Sequence, residues 1–157
     1  MQACTTPNQQ QIDRVAPARF YLPNHRAVWA DILPGLEQLA SMYSDKDWSI
    51  DGVRHMLDKD RAALLVDRED ASAFAIVRFD DYPYIEGDIE LFVYLVWHKG
   101  GDAIARFQPH LEIYAQLGGA KYMRFYTRRR GFIRVAQRAG YLPHNIEYVK
   151  EIPHVWR

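Results

Sequence analysis

Two adjacent glycines, Gly100 and Gly101, follow the apolar run Ile89 to Trp97 and precede Ile104, Phe107, Leu111, Tyr114 and Ala115 at helical spacing. In the order strand, glycine loop, helix, backbone N–H groups can converge on an anion, and the helix end adds partial positive charge. A diphosphate suits such a loop. Lys99 adds a full charge, whereas Asp102 removes one unless it faces away as a cap. A Gly-Gly pair also makes a plain tight turn, and the spacing by itself leaves both readings open.

A second group of charges lies further along. Arg130, Arg134 and Arg138 recur every four residues and form one basic stripe of a short helix, with Phe132, Val135, Ala136 and Ala139 on its other side. Guanidinium groups match phosphate oxygens, and a solvated helix face accounts for the stripe equally well. The six histidines are scattered without a pair at ligand spacing on one helix, so no metal is expected. No nucleophile elbow is present in the sequence.

The elements that must hold these groups follow from periodicity. Residues 18–22 suit a short strand, and apolar residues from Val28 to Tyr43 recur at helical spacing, with Pro34 expected to bend or divide that helix. Ser49 offers an N-cap oxygen to a second helix ending near Asp58. Residues 62–66 and 73–79 alternate as a hairpin around Asp67-Arg68-Glu69-Asp70, and residues 89–97 read as a central strand covered on both faces. The helix after the glycines contains Pro109, which kinks it or marks its start near Gln108. Residues 121–127 suit a strand, 131–139 a short helix stopped by Gly140, and 146–152 a last strand.

The chain has 157 residues, 48% hydrophobic and 25% charged, which suits one domain with one core. Residues 1–15 read as a flexible polar tail and 16–157 as the domain. The formal charge is zero, which removes the whole-protein electrostatic case for a nucleic-acid or membrane surface. That zero is uneven. Residues 1–100 carry ten bases and sixteen acids, residues 101–157 ten and four, so an anion-binding end belongs to the C-terminal third. Cys4 is the single cysteine, so no intrachain disulfide forms, and the longest apolar runs fall far below the roughly 20 residues of a membrane span. A soluble protein of a reducing cytoplasm is expected.

The order of two helices, three antiparallel strands, a glycine loop and helix, a strand, a short helix ending in Gly140-Tyr141 and a last strand resembles the GNAT N-acetyltransferase superfamily over about residues 18–153. That family's pyrophosphate loop, Q/R-x-x-G-x-G/A, is similar to His98-x-x-Gly101-x-Ala103, with His in place of Gln or Arg. Closer still is the resemblance to small GNAT-like proteins encoded by tailed bacteriophages. It is carried by Trp29, by Tyr114-Ala115 with Gly118, and by Arg129-Arg130-Gly131-Phe132-Ile133-Arg134 leading to Gly140-Tyr141.

The resemblance implies a mixed α/β (α+β) domain, with a mixed central sheet and helices on both faces, that binds acetyl-CoA or another acyl-CoA and transfers the acyl group to an amine. The arm of the co-substrate would lie between strands 89–97 and 121–127, pairing near Leu95 and Trp97, with its diphosphate on His98, Lys99, Gly100, Gly101, Asp102, Ala103 and Ile104 and its outer phosphate near Arg130 and Arg134. Glu90 or Tyr94 would take the amine proton, or Glu86 and Asp88 through water, and Tyr126 could protonate the leaving thiolate. In many active members a tyrosine stands four residues before the Gly of the Gly-Tyr pair; here that residue is Ala136. Two functions are therefore expected in competition: an acyl-CoA-dependent N-acyltransferase acting on an unidentified small or protein amine, and a non-catalytic GNAT-fold component of a phage particle or of host takeover, with phage or host proteins as partners. A homo-oligomer is compatible with either.

Overall fold

A computed structural model describes residues 6–15, 19–42, 48–127, 132–143 and 150. Alternation of period two builds its centre. Strands β2 (Ala63–Asp67) and β3 (Phe74–Asp81) send Leu64, Val66, Phe74 and Ile76 to one face and Leu65, Ala75 and Val77 to the other. A strand covered on both faces needs apolar residues at consecutive positions, which is why these segments and β4 (Ile89–Trp97) carry unbroken apolar runs.

Strand β1 (Phe20–Tyr21) and β5 (Tyr122–Arg124) complete a five-stranded sheet in the order β1-β2-β3-β4-β5. The first four pair antiparallel, and β5 runs parallel to β4. A parallel neighbour requires a crossover, supplied by helix α4 (Ala103–Leu117). Helix α4 and helix α1 (Gln9–Val15) cover one face through Ile12, Phe107 and Leu111. Helices α2 (His25–Ser41) and α3 (Ile50–Asp58) cover the other through Ile32, Leu36, Val53 and Leu57. Burying each of these large side chains contributes about 2 kcal/mol. Gly35 lets α2 approach closely: a Cβ there would lie 2.8 Å from Trp97. The architecture is the mixed α/β single domain expected, with helices on both faces.

Several local expectations change. Helices α2 and α4 run unbroken through Pro34 and Pro109. Each proline is exposed and so is the residue four positions before it, Ala30 and Ala105, so the carbonyl that loses its partner can bond to water. Within the stretch read as a tail, Gln9–Val15 form a helix whose Ile12 is only 8% exposed in the core. Asn8 caps it: its Oδ1 accepts from Gln11 N, and Asn8 N donates to Gln11 Oε1. Gln9 Oε1 also accepts from Leu22 N at 2.7 Å, tying α1 to the end of β1. The strand expected over 121–127 shortens to Tyr122–Arg124, and that over 18–22 to Phe20–Tyr21. The last strand, 146–152, lies outside the described residues apart from Lys150.

Candidate functional site

The C-terminal half of β4 differs from its N-terminal half in how it is paired. Strand β5 pairs β4 at three positions, Glu90↔Tyr122, Leu91↔Met123 and Phe92↔Arg124, and the pairing then stops while β4 continues to Trp97. Beyond Phe92 the two parallel strands are unpaired, a splay in their hydrogen bonding. On its other side β4 carries a β-bulge: Val77 pairs Val93 and Ile76 pairs Leu95, leaving Tyr94 as the extra residue. The bulge puts Tyr94 and Leu95 on the same side of the sheet, against the α2/α3 core, and sends Val96 to the α4 side. Leu95 and Trp97 thus stand on the part of β4 that β5 has left.

At the top of that opening lies the glycine loop. Gly101 has φ +75°, the left-handed region that favours glycine, and its N–H donates to His98 O at 3.0 Å. His98 Nδ1 lies 2.6 Å from Asp102 Oδ1 and 3.2 Å from Gly100 N, and Nε2 lies 3.6 Å from Asp70 Oδ2. An ionised carboxylate accepts only, so Nδ1 carries the proton and donates to Asp102; the Gly100 N–H then has no lone pair to meet there. Hydrogen bonding to His98 holds the Asp102 carboxyl below its usual value, and hydrogen bonding to Ser72 does the same for Asp70. Asp102 precedes α4 without capping it, and the first bond of the helix is Arg106 N to Asp102 O at 2.9 Å. The N–H groups of Ala103, Ile104 and Ala105 therefore face out of the helix end. Lys99 is exposed beside them in sequence.

The sequence missed how the acids of the β2–β3 turn reach this loop. Asp67, 1% exposed, accepts from Arg106 Nε at 2.6 Å and lies 3.7 Å from Arg19 Nε. Arg106, the cation in the first turn of α4, is thereby committed to structure. A charged residue ending an otherwise apolar strand was the available signal, since a buried carboxylate requires a partner.

At the foot of the splay, the candidate base Glu90 is 0% exposed. Arg124 forks onto it, Nε donating to Oε2 at 2.7 Å and Nη2 to Oε1 at 2.6 Å. Hydrogen bonding to Glu90 raises the Arg124 pKa above its ordinary value. Arg124 Nη1 donates to Tyr126 Oη, and the guanidinium lies over the rings of Phe92 and Tyr126, 5.1 and 5.0 Å from their centres. Tyr126 is 67% exposed and packs edge-on to Phe92. Tyr94 is half-buried, 6.2 Å from Phe92 between ring centres, with Arg78 over its ring.

The remaining candidates fall elsewhere. Glu86 is exposed, Asp88 is bonded to Lys121 at 2.7 Å, and both precede β4 at the end away from the splay. At about 3.3 Å per residue, Asp88 is roughly 17 Å along the strand from Val93. Arg134 is exposed on α5 (Phe132–Arg138); Arg130 lies outside the described residues. Ala136 is part-buried on α5, and nearby Tyr141 donates to Gln108 Oε1 at 2.9 Å, burial pushing its phenol up to about 12. The structure thus gathers Glu90, Tyr94, Tyr126, Leu95 and Trp97 around the splay and 98–104 at its mouth, and separates Glu86 and Asp88 from both.

No family model and no curated protein matches the chain. Solved structures do match in fold. A ribosomal-protein-alanine N-acetyltransferase from Brucella melitensis biovar Abortus 2308 superposes with TM-score 0.63 and 16% identity over 86% of this chain and 100% of that one. A predicted acetyltransferase from Clostridium acetobutylicum with acetyl-CoA gives 0.61 and 12% over 85% and 94%. An aminoglycoside N-acetyltransferase in complex with CoA gives 0.54 and 18% over 85% and 98%. With its splayed β4 and β5, bulged β4 and glycine loop leading into α4, this chain has the GNAT fold.

Proposed function

We propose that the protein is an acyl-CoA-dependent N-acyltransferase, encoded by a tailed phage, that transfers an acetyl group to an amine. The observation that carries this reading is the end of β4–β5 pairing at Phe92↔Arg124 beside a bulge at Tyr94. An extended amide-bearing arm fits there as an added strand against Val93 to Trp97, gaining main-chain hydrogen bonds. The fit continues at the mouth, where the Gly100 N–H, the first N–H groups of α4 and Lys99 suit a diphosphate, and Arg134 with Arg130 is assigned to the outer phosphate.

The thioester carbon is attacked by the amine, and the leaving thiolate takes a proton. Tyr126, exposed at the foot of the splay with its oxygen accepting from Arg124, keeps its own O–H for that thiolate. Tyr94 is assigned to the incoming amine, with solvent as the final proton acceptor. The test is calorimetry and thermal unfolding with acetyl-CoA: a ligand that binds only the folded state raises the melting temperature by mass action. No rise at about 1 mM acetyl-CoA overturns the reading.

A non-catalytic role in a phage particle or in host takeover is the second reading. It is favoured by the inaccessibility of Glu90 and by Ala136 at the position where the resemblance expects a tyrosine. Acetyl-CoA binding without thiol release, together with co-purification with virions, would select it.

A further inference from the structure

We propose that Glu90 is a positioning residue: with Arg124 it forms a fixed apex that sets where β5 leaves β4 and holds Tyr126 at the opening. This rests on the acyl-CoA reading above. Register places the pair across the whole three-rung ladder. Glu90 pairs in register with Tyr122 at the first rung and Arg124 with Phe92 at the last, so the fork runs diagonally across the ladder on one face of the sheet and ends where the pairing ends. Beyond Arg124 no described residue pairs with β4, and the next side chain of that face is Tyr126, bonded to the same guanidinium. All three guanidinium nitrogens are thus assigned, two to Glu90 and one to Tyr126.

The geometry separates this role from that of a base. At 0% exposure the Glu90 carboxylate meets neither an incoming amine nor water, and both of its oxygens face the arginine. The planar fork fixes direction as well as distance, which a point charge does not. The rings of Phe92 and Tyr126 pack against the guanidinium, their centres 5.1 and 5.0 Å from its carbon. On the neighbouring strand β3, Arg78 is bonded to Asp80 at 2.7 Å, so that each has its own partner outside the fork.

The proposal separates from simple stabilisation because a buried ion pair can be replaced by apolar residues of similar size without loss of stability, whereas removing one partner cannot. The experiment measures melting temperature and acetyl-CoA dissociation constant for wild type, Glu90→Gln, the double variant Glu90→Met with Arg124→Met, and Arg124→Lys. Glu90→Gln is expected to lower the melting temperature and weaken acetyl-CoA about tenfold. In the double variant the melting temperature recovers and the affinity stays weak, because the apolar pair packs but directs neither β5 nor Tyr126. Recovery of affinity along with stability overturns the proposal, since the pair would then be structural only. Should the double variant not fold, Arg124→Lys decides: charge is kept and the fork is lost, so affinity falls, and an unchanged dissociation constant overturns it. A wild type that does not bind acetyl-CoA removes the acyl-CoA reading and this proposal with it. A wild type that binds, with all variants binding equally, removes this proposal alone.

Discussion

Charge is handled in opposite ways at the two ends of the splay. At the apex, Glu90 is fully buried and held by a two-bond fork, with aromatic rings over the guanidinium. At the mouth, His98 is shared between Asp102, whose side chain is 59% exposed, and Asp70. The apex is expensive to disturb because a buried carboxylate without its partner keeps its full desolvation cost. The Asp102 side of the mouth is cheap to disturb because water and salt screen an exposed partner. Under the proposed acyl-CoA function, this division supplies a rigid end that defines the opening and an adjustable end for a charged, solvated group.

The contrast gives an ordered set of expectations. Glu90→Gln should destabilise the fold by about 3 kcal/mol in urea unfolding. A loss below about 1 kcal/mol, the size of an exposed pair, would abolish the distinction between the ends. Next in size is Gly101→Ala, which forces an L-residue to φ +75° and should cost about 1 kcal/mol. A neutral result would mean the loop relaxes freely, and so would sharpen the picture of an adjustable mouth.

Asp102→Asn should hardly move the urea midpoint but should tighten acetyl-CoA binding about threefold at low salt, by removing a negative charge beside the diphosphate position. Equal affinities at low and high salt for both proteins would place the diphosphate elsewhere. The smallest effect concerns acid. Asp70 and Asp102 are both held below their ordinary value of 3.8, so the stability they add is present above that pH and drains as pH falls through the lower folded values. Wild type should therefore lose more stability than Asp102→Asn on moving from about pH 5 to about pH 3, measured by urea midpoint. Equal losses would show that the His98–Asp102 contact is not maintained in solution.

Much of the fold was legible because its signals are local. The apolar alternation of residues 62–66, 73–79 and 89–97, the Ser49 cap and the Gly118-Gly119 stop each depend on neighbours close in sequence, and the elements formed within a residue or two of where they were expected. The polar composition of residues 1–15 hides helix α1, although Asn8 and Gln11 stand at capping-box spacing before Ile12. Pro34 and Pro109 leave their helices unbroken because the cost of an interior proline depends on whether the abandoned carbonyl reaches water, a property of the assembled surface.

The sequence by itself determined the order of elements, the glycine loop before α4 and the surplus of positive charge after residue 100. Only the tertiary structure decided what those charges do. Periodicity put Glu90 on a strand doubly covered by apolar residues, but Arg124 comes to it from 34 positions away, and Asp67 takes Arg106 from 39. Long-range pairing of this kind depends on strand register and on where the β4–β5 ladder ends, neither of which leaves a trace in local spacing. So the sequence offered Glu90 as a candidate base and left Arg106 unassigned, and the fold made both of them part of its frame.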